Sequence, residues 1–223
     1  IMAPTHYLVL DFEATCERNA RNWPSEIIEF PIIALNARTL TVEAEFHEYV
    51  RPTVRPTLTA FCTELTGITQ EQVDHADVIS DVLPRVAGWL AAQNFGDALP
   101  VTCGNWDLEK MLPRECQTKG LVVPSVLRRW CNIKKVAGAA GCPAKGMTQM
   151  LEGLGLPLMG RHHSGIDDSR NIAAIAAALV RRRGDRPLPQ TGGALVIPAV
   201  SDAAAGSASA AEALLPASAA DTV

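Results

Sequence analysis

Residues 27–50 read IIEFPIIALNARTLTVEAEFHEYV. Two β-rich runs, Ile27 to Ala37 and Leu40 to Val50, meet at Asn36-Ala37-Arg38-Thr39, a natural hairpin connection. In the second run Val42, Ala44 and Phe46 alternate with Thr41, Glu43, Glu45 and His47, the period-two pattern of a strand with one wet face. A hairpin inside a chain that otherwise reads as alternating strands and helices predicts a mixed sheet rather than a purely parallel one.

Working outward, His6 to Asp11 (HYLVLD) is a short apolar run that reads as a buried strand. Downstream, Ile79, Leu83, Val86 and Leu90 recur at i, i+4, i+7 and i+11, which predicts an amphipathic helix capped near Ser80. Leu99 to Cys103 reads as another buried strand, the fourth, and Trp106 to Cys116 as the helix that follows it. The clearest helix spans Asp168 to Arg183 and ends in Arg181-Arg182-Arg183 before Gly184. Arg186-Pro187-Leu188-Pro189 then interrupts regular structure, and the Ala/Ser-rich stretch from Ala199 has little with which to build a core. The expectation is one α/β domain over residues 1–183 and a Pro/Ala/Ser-rich, disordered tail over 184–223.

The chain has 223 residues, 48% of them hydrophobic, enough for one sizeable domain with a real core. No apolar run approaches a membrane span, so no membrane partner is expected. Ile1-Met2-Ala3-Pro4 lacks a basic region followed by an apolar core, and no secretory signal is expected. Cys16, Cys62, Cys103, Cys116, Cys131 and Cys142 form no C-x-x-C pair, and no His pair has zinc-finger spacing. Reduced thiols in an intracellular protein, cytoplasmic or nuclear, follow as the expectation.

The net charge of −4 argues on its face against a nucleic-acid partner. The distribution argues otherwise. Cys116 to Leu151 contains no Asp or Glu, yet carries Lys119, Arg128, Arg129, Lys134, Lys135 and Lys145. The tail after Arg183 carries Asp185, Asp202, Glu212 and Asp221 against Arg186, a net of −3 out of the −4. A weakly charged body with one basic stretch suits a protein that holds a short strand in one groove, and that stretch is the expected track for it.

Asp11 and Glu13 stand at i and i+2 at the end of a buried strand, so their carboxylates point to one side. Like charges at the edge of a core need a cation, and hard oxygen donors suit Mg²⁺ or Mn²⁺. Alone, D-x-E is a weak signal. Asp107 opens the helix after the fourth strand, where functional groups gather in open α/β sheets, although a first-turn acid is also common for dipole reasons. In His163-Ser164-Gly165-Ile166-Asp167-Asp168 the helical spacing chooses between the acids. Asp168, Ile172, Ile175 and Leu179 share the core-facing stripe, whereas Asp167 leads to Asn171 and Ala174.

Asp11-Phe12-Glu13-Ala14-Thr15-Cys16, Glu26-Ile27-Ile28-Glu29-Phe30-Pro31, Leu65-Thr66-Gly67-Ile68-Thr69, Gly104-Asn105-Trp106-Asp107 and His163 to Asp168 together resemble the DEDDh 3′→5′ exonucleases. More narrowly they are similar to the 3′ histone-mRNA and enhanced-RNAi exoribonuclease branch, with its prion-protein-interacting exonuclease-like members. The match runs from about His6 to Arg183. It implies a ribonuclease-H-like fold with a five-stranded mixed sheet flanked by helices. It implies that Asp11, Glu13, Asp107 and Asp168 bind two divalent ions, Mg²⁺ or Mn²⁺, and that His163, five residues before Asp168, is the general base. His162, where close relatives often have proline, reads as a bystander.

The resemblance further implies that the 3′-terminal nucleotide packs between Phe61, Leu65 and Trp106, with the backbone of Ala14 and Thr15 near the sugar. The expected activity is removal of nucleoside 5′-monophosphates from single-stranded RNA 3′ ends. A DNA-directed exonuclease and a catalytically inactive RNA-binding module are the rival expectations, separated by matched RNA and DNA strands and by an assay of Mg²⁺-dependent nucleotide release.

Overall fold

The computed structural model describes residues 3–20 and 23–193. Seven strands form the sheet: β1 (His6–Val9), β2 (Glu13–Ala14), β3 (Ile27–Asn36), β4 (Val42–Tyr49), β5 (Leu99–Thr102), β6 (Arg129–Asn132) and β7 (Gly192–Gly193). Their order is β2-β3-β1-β5-β6-β7, with β4 on the other edge of β3. β1 pairs antiparallel with β3 and parallel with β5, and β5 pairs parallel with β6, so the sheet is mixed as the hairpin predicts. Seven strands replace the expected five for a local reason. β1 and β2 are one strand interrupted at residues 10–12, since both pair antiparallel with β3. The seventh comes from residues past Arg183.

Those residues also correct the expected domain limit. Leu188 is buried in the core with its amide donating to the Tyr7 hydroxyl at 2.9 Å, and β7 pairs with Arg129 and Trp130 of β6. The folded body therefore continues to Gly193, and the rest of the expected tail, 194–223, lies outside the described residues.

Strand alternation sends neighbours to opposite faces. Tyr7, Val9, Ile33 and Leu35 join one core, beneath α5 (Ile133–Ala139), α6 (Met147–Leu154) and α7 (Gly165–Arg182). Leu8, Leu10, Ile32 and Ala34 join the other, beneath α3 (Ile79–Ala92) and α4 (Leu112–Thr118). β3 is buried on both faces and so carries apolar side chains at nearly every position, with Glu29 and the terminal Asn36 the exceptions. Val42, expected inward on β4, is exposed, and the register shifts beside its partner Leu35. Two short helices, α1 (Ala60–Thr66) and α2 (Gln70–Asp74), precede α3.

Three helix starts differ from expectation. α3 begins at Ile79 with Val78 as its extended N-cap residue, so Ser80 lies inside the first turn and caps nothing. The helix expected over Trp106 to Cys116 opens with a π-helical turn, Asp107–Met111, before α4. α7 starts at Gly165, three residues ahead of Asp168, because its cap comes from a distant strand. No helix among the described residues is long and apolar enough to cross a membrane.

Candidate active site

The candidate residues converge where β1 and β5 end. Asp11 lies in the interruption after β1 and Glu13 opens β2. Asp107 follows β5, buried, with the Phe12 amide donating to its Oδ1 at 3.2 Å. A π turn is an uncommon element that recurs at functional sites, and here it carries Asp107 at its first position. Asp168 lies in the first turn of α7, buried, whereas Asp167 points to the loop before the helix. Asp11, Glu13 and Asp168 each bring a carboxylate oxygen within 4.8 Å of the others.

Such an arrangement is electrostatically costly without a cation. Burial, then the charges of Asp107 and Glu13, hold the Asp11 carboxyl well above its usual range. Burial and the neighbouring Glu29 push Glu13 up to about 8. Burial also raises Asp107 and Asp168, although the Phe12 amide opposes the first shift and the His163 amide the second. An all-oxygen set of this kind fits a hard divalent ion and suits neither a thiolate-loving metal nor an organic cofactor.

His163 sits at the mouth of the cluster in the left-handed backbone region, φ +64°, and its amide donates to Asp168 Oδ2 at 2.9 Å. Burial lowers the pKa of its imidazole, with His162 adding to the effect, so the ring is neutral and able to accept a proton near pH 7. His162 is no bystander in position. Its Nδ1 lies 3.1 Å from Asp168 Oδ2, and its ring stacks on that of His163 at 4.0 Å.

Phe61 and Leu65 stand one turn apart on α1 and therefore share a face. The Thr59 hydroxyl fixes that helix, donating to the Cys16 carbonyl at 2.7 Å and accepting the Cys62 amide at 3.0 Å. Thr15 is buried, pairing with Glu26 through both its backbone amide and its hydroxyl. Ala14 is half-buried beside it, and Trp106, which precedes Asp107, stands 54% exposed.

Two positioning groups escaped the sequence reading. Glu29, fully buried, accepts the amides of Gly165 (2.9 Å) and Ile166 (3.1 Å) and contacts His47 Nε2 at 2.8 Å, so it caps the helix that carries Asp168. A lone carboxylate in an otherwise apolar strand was the available signal. Arg161 donates to the carbonyls of Glu64 (2.7 Å) and Leu65 (3.2 Å), joining the histidine loop to the C-terminus of α1. Gly67, the left-handed C-cap of α1 at φ +77°, calls for glycine, and the guanidinium fills the space over its Cα.

The residues of the basic stretch have different neighbours. Lys119 is held by Glu26 and Glu115, Arg128 donates to the Val123 carbonyl, and Lys135 reaches Thr191. Lys134 is the member whose charge is felt at Asp11 and Asp107.

A mixed sheet carrying a buried carboxylate cluster at the ends of its central strands defines a ribonuclease-H-like nuclease fold. The chain matches the exonuclease family over residues 8–176 and belongs to that family. It is 50% identical over 183 residues to ERI1 exoribonuclease 3 of Homo sapiens, covering 79% of this chain and 54% of that protein. With 3'-5' exoribonuclease 1 of Homo sapiens it shares 42% over 180 residues, covering 78% and 52%. The chain thus spans about half the length of the curated relatives it matches. Among solved structures, the nuclease domain of 3'hExo, a DEDDh family member bound to rAMP, aligns with TM-score 0.80 at 38% identity, covering 85% of this chain and 98% of that one. Cell-death related nuclease 4 aligns with TM-score 0.76 at 27% identity, covering 80% and 64%.

Proposed function

We propose that the protein is a 3′→5′ exoribonuclease that trims single-stranded RNA from its 3′ end and releases nucleoside 5′-monophosphates. The observation that carries the reading is the convergence of Asp11, Glu13 and Asp168 beside Asp107, under a neutral His163. Its similarity to ERI1 exoribonuclease 3 and to a nuclease domain bound to rAMP favours RNA over DNA.

In this reading Asp11, Glu13, Asp107 and Asp168 hold two divalent ions, Mg²⁺ or Mn²⁺. When bound, such ions supply Lewis acidity to a phosphodiester and offset the charge of the attacking and departing oxygens. His163 takes a proton from the attacking water at its imidazole nitrogen. Water adds to the last phosphodiester, the bond to the upstream 3′ oxygen breaks, and that oxygen takes a proton from solvent water and leaves as a new 3′-OH. Phe61, Leu65 and Trp106 grip the terminal base by contact alone, which accepts any base because every base has a π face. Ala14 and Thr15 bound the sugar.

The test is hydrolysis of 5′-labelled RNA with Mg²⁺ or Mn²⁺, against EDTA and against matched DNA. A ladder shortening from the 3′ end, with 5′-monophosphates as product, is expected. Equal or faster loss of DNA would make the enzyme a DNA exonuclease, and no cation-dependent release would leave an RNA-binding module.

A further inference from the structure

A cleft of about 500 Å³, lined in part by Trp106 next to Asp107, runs between the segment leading into β3 and α4. Trp23 and Glu26 line one wall and Met111 and Arg114 the other, and Trp106, which precedes the buried Asp107 in the chain, lines it as well. We propose that this cleft is a second nucleotide subsite, which takes an upstream nucleotide of the single strand whose 3′ end lies at the acids. The proposal rests on the exonuclease reading and names where the rest of that substrate goes.

Continuity is the first argument. Asp107 follows Trp106 directly, and the Thr15–Glu26 pair joins the cleft wall to the residues beside Glu13. A strand held at its terminus by Trp106 meets this cleft on leaving. Chemistry is the second. Trp23 and Trp106 offer indole rings, which stack bases without regard to sequence. The Arg55 guanidinium lies 4.4 Å from the Trp23 ring centre, and that of Arg114 lies 5.7 Å from the Trp106 ring centre. Neither arginine forms an ion pair among the described residues, whereas Arg85 and Arg170 are each bound by two carboxylates. Arg55 and Arg114 therefore present positive charge to phosphates beside aromatic faces.

Rigidity is the third. Lys119 Nζ donates to Glu26 Oε1 at 2.9 Å and to Glu115 Oε1 at 2.7 Å. Glu26 in turn accepts the amides of Thr53, Val54 and Arg55, so the turn that presents Arg55 is tied to the cleft floor. With its charge engaged below, Lys119 leaves phosphate recognition to the two arginines. A cleft fixed before binding loses little entropy on ordering a flexible strand.

The experiment compares Trp23→Ala, Trp23→Phe and Arg114→Gln with wild type on two substrates. One is a single-stranded hexaribonucleotide; the other is a nucleoside 5′-monophosphate p-nitrophenyl ester, which fills only the terminal site. For Trp23→Ala the hexamer KM is expected to rise about tenfold, the scale of one lost base stack. Its kcat and the kcat/KM of the ester should stay within about twofold, and Trp23→Phe should restore most of the hexamer KM. Arg114→Gln, at an exposed position, should make the salt slope of RNA binding shallower by about 0.7, one phosphate contact, and serves alone if Trp23→Ala does not fold. Equal losses on both substrates, or an unchanged hexamer KM and salt slope, would overturn the subsite. Failure of the wild type to hydrolyse the ester would count instead against the exonuclease reading.

Discussion

At the residue scale, the acids crowd charge that a bound cation would offset. If Asp11 and Glu13 hold the proposed ions, Asp11→Asn and Glu13→Gln should each drop nuclease activity below about one per cent of wild type, given the size of metal-ion stabilisation. Circular dichroism should show the fold intact, and retention of activity above that level would remove these residues from the site. The two histidines make a sharper contrast. His163 has a ring that desolvation keeps neutral, whereas the ring of His162 is engaged with Asp168. His163→Ala should slow single-turnover hydrolysis at least about a hundredfold, the usual cost of a lost general base. His162→Ala should cost much less, and the opposite ranking would exchange their roles.

At the element scale, the decisive junction is the start of α7. Its N-cap residue Ser164 makes no side-chain cap, and the carboxylate of Glu29 on β3 serves instead. Glu29→Ala leaves two buried amides without a partner, which costs about 2 kcal/mol and lowers Tm by roughly 4–8 °C in a thermal melt. An unchanged Tm would mean that water or Ser164 replaces the cap. Gly165 is constrained from the other side. A Cβ there would stand 2.6 Å from the Asp11 carbonyl oxygen, a backbone atom with nowhere to move. Gly165→Ala should therefore displace α7 from the end of β1 and separate Asp168 from Asp11. A shift on the order of 1 Å at reacting groups costs about a hundredfold in rate, and kcat for this variant should fall on that scale.

At the scale of the whole molecule, the acid cluster links stability to pH. Glu13 titrates near 4.5 when unfolded and at about 8 in the fold, so the folded state binds its proton more tightly. That contribution is complete below pH 4.5 and is lost as pH rises through about 8. Protein stripped with EDTA should accordingly melt at lower temperature at pH 9 than at pH 6. Glu13→Gln should shrink the difference, and saturating Mg²⁺ should remove most of it by stabilising the ionised carboxylates. A melting temperature that rises over this range in stripped wild-type protein would contradict the buried cluster. Two cores, one on each face of the sheet, support the site from both sides.

Much of this architecture was legible in local pattern. The hairpin of residues 27–50 foretold a mixed sheet because turn residues and period two act over a few positions. The stripe through Ile172, Ile175 and Leu179 placed Asp168 inward and Asp167 outward for the same reason. The sequence motifs likewise marked Asp11, Glu13, Asp107 and His163 as candidates. Tertiary structure alone decided what completes the site. Glu29 caps a helix 136 residues away, the Phe12 amide meets Asp107 across 95 residues, and Arg161 ties its loop to carbonyls nearly as distant. The basic stretch is dispersed because Lys119 follows α4, Arg128 precedes β6 and Arg129 opens it, Lys134 and Lys135 lie on α5, and Lys145 is in the loop before α6. Periodicity reports which face of an element is buried, but a cap or an ion pair depends on which other element arrives there, and that is settled only when the sheet and its two cores assemble.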